Sequence, residues 1–319
     1  MTGREENTIK IESKIMEKLS KQPKILSQYF NSIEQKTAKT KEVYINYIIE
    51  YFEYLKRNGF NPYHERTFSK IKKMHIDNYL AFTHYTYDKN GNRKVNGESI
   101  RRSKMAAVKS FYDFLVDNSF IESNPCDKVK LPKLTKDISL ITLSEDEINI
   151  VKNRILKNSK TKDRDIAIFV LMIRTALRVE SVIEINISDI DFNNNKIIVT
   201  EKGNKRREIY IGENTKQLLI KWINVRGDQE TDALFINRKG DRISYFTPKY
   251  IIDKYANDFG KRITCHKTRS TGASHLYEKT GDIYLVADAL GHSNISNTKR
   301  YAKISEAKKK NVANIFDDF

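Results

Sequence analysis

The stretch "CHKTRSTGASHLYEKTGDIYLVADALGHSNISNTKRYAKIS", residues 265–305, gathers His266, Arg269, His292 and Tyr301 into one short span. His266 and Arg269 are three positions apart, so they share a face if the segment is helical. Gly291, just before His292, suits the end of a preceding helix. Tyr301 follows nine positions after His292. No acidic or cysteine ligands accompany the histidines at useful spacing, which makes metal ligation a poor explanation for them. What remains is a set of hydrogen-bond donors around a weak nucleophile, with no evident base beside it.

Upstream of this span the pattern mixes helices with one small sheet. Ser144 and Glu147 in "LSEDEINIVKNRI" form a capping box that opens a helix. "RDIAIFVLMIRTAL" predicts a buried helix ending near Arg178, and "NNNKIIVTEKGNKRREIYIG" predicts a hairpin around a Gly-Asn turn. Thr247 and Pro248 are expected to cap the helix "PKYIIDKYANDFG". The first half reads as helical: "KEVYINYIIEYFEYLKRNGF" spaces its apolar residues three and four apart before Gly59. "YDKNGNRKVNGES" reads as a turn-rich loop, and "SIRRSKMAAVKSFYDFLVDNSF" as the helix after it. "ESNPCDKVKLPKLTKDISL" has two prolines and no periodicity, which suggests a linker. The expected fold is mainly α with a small antiparallel β-sheet. Residues 1–23 are an N-terminal extension, 24–123 a helical domain, 124–138 a linker and 139–319 an α+β domain with a C-terminal tail helix.

The 319 residues carry a formal net charge of +17, which makes a polyanion the first partner to expect. Basicity alone also suits solubility or an acidic membrane surface, but no clear amphipathic basic anchor segment supports the latter. Cys126 and Cys265 stand far apart, so a disulfide framework is not expected and a reducing, cytoplasmic home fits. The charged start "MTGREENTIKIESKIMEKL" lacks the apolar core of a signal peptide. "IAIFVLMI", Ile166–Ile173, is far too short to span a bilayer.

Single residues of this set have bland readings. Arg178 alone suits a surface arginine at a helix terminus, and Lys202 alone a solvated turn. As an ordered set, Arg178, Lys202, His266, Arg269, His292 and Tyr301 resemble the catalytic half of the tyrosine recombinase (phage integrase) family. That family carries an arginine in "T-G-L-R", a hairpin lysine, an H-x-x-R pair, an "L-G-H" histidine and a tyrosine nine later. "GNKRREIYIG" is similar to the family's "G-x-K-x-R-x-V-P-L", and the resemblance extends over residues 24 to 305. One position departs: the family's acidic residue three after the first arginine is Ser181 here, with Glu180 beside it and Glu184 one turn on. Ser181 is expected to brace Arg178 more weakly than a carboxylate, unless Glu180 or Glu184 substitutes, and the sequence leaves open which group does so. "HKTRS" also replaces the usual "H-x-L-R-H".

The resemblance implies a helical core-binding domain followed by a tyrosine-recombinase catalytic domain, the two clamping double-stranded DNA. It implies a DNA strand-exchange enzyme working through a 3′-phosphotyrosyl intermediate, with no cofactor and no metal. Tyr301 is then the nucleophile. Arg178 and Arg269 hold the non-bridging oxygens, His292 donates a further hydrogen bond, Lys202 protonates the leaving 5′ oxygen, and His266 assists proton transfer. Arg101, Arg102, Lys104 and Lys109 in the first half, with Lys205 and Arg206 at the hairpin, are the expected DNA contacts. Short simple sites are favoured, since residues 1–23 are too few for an arm-binding domain. The expected assembly is a homotetramer on two sites, with the tail "AKISEAKKKNVANIFDDF" exchanged between protomers. The role is integration, excision, transposition or resolution. Two alternatives of the same fold are a type IB topoisomerase-like relaxing enzyme and a non-catalytic DNA-binding protein.

Overall fold

The computed structural model describes residues 3–87, 91–133, 140–201, 205–292 and 294–302. Lys202 and the tail after Ala302 therefore lie outside the described residues. The chain divides into two compact units, Met1–Asp137 and Ile138–Phe319.

The first unit comprises helices α1 (Gly3–Leu19), α2 (Lys24–Ser32), α3 (Ala38–Arg57), α4 (Arg66–Ser69) and α5 (Lys73–Phe82), strands β1 (Tyr85–Tyr87) and β2 (Arg93–Val95), and helix α6 (Glu98–Asp117). Its core is aromatic. Phe52, Phe68, Phe111 and Tyr29 pack largely edge to face, with centroids 5.3–5.5 Å apart where Phe111 meets the other three, and each such side chain contributes about 1.5–3 kcal/mol by burial. Tyr51 and Tyr112 are fully buried and share a 2.8 Å hydrogen bond between their hydroxyls. Burial pushes both phenols well above their ordinary range, so they remain neutral structural groups.

Three sequence expectations are corrected in this unit. Residues 3–19 are not an appended extension, because α1 buries Ile15 and Leu19 in the core. The turn-rich segment after α5 contains an antiparallel pair, with Tyr85 opposite Val95 and Tyr87 opposite Arg93. The start of the expected linker is anchored: Asn124 donates to Asp113 and accepts from the Cys126 N–H, and Cys126 is buried.

The second unit continues with α7 (Glu145–Asn158), α8 (Lys162–Thr175), α9 (Val179–Glu184), β3 (Ile190–Asp191), β4 (Lys196–Thr200), β5 (Arg206–Tyr210), α10 (Glu213–Arg226), α11 (Phe246–Tyr255), α12 (Cys265–Thr280) and α13 (Ile283–Leu290). Two short 3-10 turns, Ile295–Asn297 and Lys299–Tyr301, follow. Ser144 and Glu147 make both bonds of the capping box. The sheet has order β3-β4-β5, antiparallel throughout, with Ile197 and Val199 facing the core. Helix α11 starts two residues before Pro248, not at it; the ring is tolerated because first-turn amides have no helical acceptor.

Helix α8 is buried from Ile166 to Ile173 and forms the centre of the unit. Helix α12 crosses it at Gly272, where an added Cβ would collide with the Ile173 carbonyl oxygen and stand 3.3 Å from the Ala176 Cβ. That close approach sets the distance between the end of α8 and the face of α12 that carries His266 and Arg269.

Candidate active site

Helix α8 stops at Ala176, which adopts a left-handed conformation at φ 51°. A non-glycine residue there costs about 1–2 kcal/mol, yet the turn does two things. It directs the Ala176 carbonyl to Arg269, whose Nη1 donates to it at 2.8 Å. It also delivers Arg178 to the N-cap of α9.

Arg269 is 2% exposed. Its Nη2 donates to the Leu290 carbonyl at 2.6 Å and lies 3.3 Å from His292 Nε2. All three partners are neutral, so the buried positive charge is not cancelled by hydrogen bonding. Burial, then the charge of Arg178, lowers its pKa from 12.5 to about 10, which leaves it cationic at neutral pH.

Helix α13 ends at Gly291, in the left-handed region at φ 60°, and the next residue is His292. Its Nδ1 sits 3.0 Å from the buried Thr298 hydroxyl. A guanidinium only donates, so Nε2 accepts from Arg269 and Nδ1 carries the proton. Desolvation, then Arg269, Arg178 and Arg300, push the His292 pKa down. His266 is lowered likewise, by desolvation and then by Arg300, Arg269 and Arg178, with Glu180 opposing. Both imidazoles are neutral at pH 7.

Tyr301 closes the last 3-10 turn and is 5% exposed, packed with Ala176, Ala273, Val286 and Leu290. The Arg300 guanidinium stands over its ring, 5.2 Å from the centroid. Two of the tyrosine's packing neighbours, Ala176 and Leu290, are the residues whose carbonyls accept from Arg269. Arg178, His266, Arg269, His292 and Tyr301 are thus neighbours, drawn from the α8–α9 junction, α12, the α13 terminus and the final turn.

The group that braces Arg178, left open by the sequence, is neither of the two glutamates beside position 181. Its Nη1 donates to Glu201 Oε2 at 3.0 Å, whereas Glu180 is exposed and Glu184 half-buried. Ser181 is buried and donates instead to the Thr200 carbonyl at 2.9 Å. Glu201 also accepts from Arg207 Nη2 at 3.3 Å, and Arg207 in turn donates to the Ala289 carbonyl at 2.8 Å. The sequence signal for Glu201 was slight: an acid directly before the hairpin lysine, 23 positions from its partner.

The expected DNA contacts fare unevenly. Lys104 is corrected: it is 4% exposed and paired with Glu50 at 2.5 Å, so it presents no surface charge. Lys109 pairs with Asp127, which offsets its charge. Arg101 and Arg102 are half-buried and donate to the Leu80 and Pro132 carbonyls. Lys205 is exposed, and Arg206 is exposed while bonded to Asp189 at 3.0 Å. Among the described residues no set of three His, Cys, Asp or Glu could hold a metal ion, and no helix is long and apolar enough to cross a membrane.

Comparison with known proteins gives this geometry its setting. Residues 142–308 match the model of the phage integrase family. The chain belongs to that family. It is 30% identical over 318 residues to tyrosine recombinase XerC of Caldanaerobacter subterraneus subsp. tengcongensis, covering 92% of this chain and 87% of that protein. It is 26% identical to XerC of Syntrophus aciditrophicus, covering 88% and 92%. The fold is similar to that of XerH site-specific recombinase bound to palindromic difH substrate, with a TM-score of 0.66 at 19% identity, covering 92% and 84%. This recombinase is therefore a DNA strand transferase of the tyrosine type, mainly helical with small antiparallel sheets.

Proposed function

We propose that this recombinase cuts and rejoins double-stranded DNA through a 3′-phosphotyrosyl link to Tyr301. The observation that carries the reading is the buried Arg269, held by neutral groups only, beside a buried tyrosine and a second guanidinium. With Glu201 as the carboxylate that Arg178 and Arg207 share, such a site still carries an excess of positive charge, and a phosphodiester supplies the anion. Tyr301 Oη attacks phosphorus, the P–O5′ bond breaks, and the number of phosphodiester bonds is conserved, so rejoining needs no external energy source. Arg178 and Arg269 offset the charge that develops on the non-bridging oxygens. His266, neutral and near Arg269, takes the phenolic proton, and Lys202 returns one to the 5′ oxygen.

His292 must carry a proton on Nε2 to donate to that phosphate. The negative charge of the incoming phosphate favours the doubly protonated ring, which keeps the Thr298 bond as well. The two-unit chain then acts on two sites as a tetramer, with Arg101, Arg102, Lys205 and Arg206 as DNA contacts and the tail after Tyr301 docked on a neighbouring protomer. Deleting residues 308–319 is expected to spare single-site binding and weaken synapsis, read by analytical ultracentrifugation on paired sites. An unchanged tetramer population rules out tail exchange.

The test of the central reading is adduct capture from genomic DNA. The wild-type protein is expected to yield covalent complexes at discrete sequences, and Tyr301→Phe none while still binding DNA. A persisting adduct in that variant overturns the assignment. A plasmid carrying two copies of the captured sequence is expected to yield exchanged products; relaxation without exchange would assign the topoisomerase-like activity instead.

A further inference from the structure

Resting on that reading, we infer that Glu201 is a positioning residue for Arg178, taking over from a chain position, 181, that holds no carboxylate. Four observations converge on it. Its carboxylate is buried and accepts from Arg178 on one oxygen and from Arg207 on the other. Arg207 is itself fixed to the Ala289 carbonyl near the end of α13. Gly291 leaves the slot open: a Cβ there would stand 2.9 Å from the Glu201 carboxyl carbon, closer than real Cβ contacts come. Ser181, small and buried, spends its hydroxyl on the Thr200 carbonyl, pinning the residue before Glu201 to α9. Position 181 thus secures the strand, and the strand supplies the acid.

The consequence is mechanical and electrostatic. The Arg178 side chain is 35% exposed, so without a partner its long stem is free to swing into solvent. Holding Nη1 on a carboxylate fixes the plane of the guanidinium and leaves its other N–H groups for a phosphate. One negative charge between two guanidiniums also offsets the repulsion that the cluster carries before DNA arrives. Glu201 immediately precedes Lys202 in sequence. Fixing Glu201 against Arg178 and the Gly291 turn therefore fixes the base of the hairpin that carries the expected proton donor. Its main chain closes that hairpin, the Glu201 N–H donating to the Lys205 carbonyl at 2.8 Å.

A double-mutant cycle decides it, using the full chain and a nicked duplex that carries the captured site. Glu201→Gln is nearly isosteric but uncharged. It is expected to bind the duplex with unchanged affinity and cleave it at least ~10-fold more slowly in single turnover. Glu201→Asp, which keeps the charge on a shorter stem, is expected to lie between the two. On an Arg178→Ala background, Glu201→Gln is expected to cost less than about 2-fold, because the residue it serves is gone. Wild-type cleavage by Glu201→Gln overturns the assignment, and so does an undiminished loss on the Arg178→Ala background. If Glu201→Gln does not fold, Glu201→Asp carries the same cycle with the same opposed outcomes. No adduct from the wild-type chain is a different result: it removes the catalytic reading itself.

Discussion

The two units bury cations in opposite ways. In the first, Lys104 and Lys41 are almost fully buried, each with a carboxylate: Glu50 at 2.5 Å and Glu12 at 2.7 Å. Aromatic faces complete their surroundings, with Lys41 over Phe30 and Lys104 over Tyr47. In the second, Arg269 is at least as buried but rests on two carbonyls and a neutral imidazole. A matched buried cation closes a structure; Arg226 in the second unit is held by carbonyls as well, so it is the company of His292, Arg178 and Tyr301 that marks the Arg269 charge as one kept for a ligand. The same distinction applies to the phenols. Tyr51 and Tyr112 satisfy each other inside the first core, whereas Tyr301 is buried under the Arg300 guanidinium and against Ala176 and Leu290, whose carbonyls hold Arg269.

The sharpest way to break that contrast is to replace the cations. Arg269→Lys or Arg178→Lys keeps the charge and loses the planar fork, so single-turnover cleavage is expected to fall at least ~10-fold, about 1.4 kcal/mol of barrier, with DNA affinity retained. Near-normal cleavage by either variant would remove its role at the phosphate. Lys104→Met should behave oppositely: a loss of about 2 kcal/mol in unfolding free energy, because Glu50 loses its partner while staying partly hydrated, and cleavage chemistry intact. Denaturant unfolding beside the cleavage assay separates the two.

A packing change comes next. Gly272→Ala drives a Cβ into the Ile173 carbonyl, and backbone must move because no flexible side chain can give way. The expected cost is about 1–3 kcal/mol, with cleavage reduced in the fraction that remains folded, since α8 and α12 supply opposite sides of the site. An unaltered melting temperature would show that the crossing has room for a Cβ and contradict the close approach at Gly272.

The smallest effect is a titration. His266 and His292 both have pKa values below the ordinary 6.5. As pH falls the unfolded chain takes up these protons first. Their contribution to stability is therefore complete above about pH 6.5 and is lost as pH falls through the depressed folded values. Nuclear magnetic resonance titration of the DNA-free protein is expected to place both midpoints below 6.5, and a midpoint above it for His266 would contradict its neutral, proton-accepting state.

What the sequence made legible was local. The capping box at Ser144 and Glu147, the hairpin of β4 and β5, and the shared helix bearing His266 and Arg269 all follow from spacings of a few residues. What it hid was set by distant partners. Lys104 and Lys109 read as free surface charge because Glu50 and Asp127 lie 54 and 18 positions away. Glu201 went unread because its meaning depends on Arg178, Arg207 and the vacancy of a side chain at Gly291. Ala176 hid its left-handed turn because the glycine that the family's "T-G-L-R" has at this position, the residue that would mark such a turn, is alanine here.

The most direct measurement is the identity of the residue that holds the DNA. A nicked duplex carrying the captured site traps the covalent complex, which is digested with nuclease and trypsin and its peptides sequenced by mass spectrometry. The expected product is a nucleotide joined through its 3′ phosphate to the phenolic oxygen of Tyr301. A 5′ linkage, or attachment to any other residue, would contradict it.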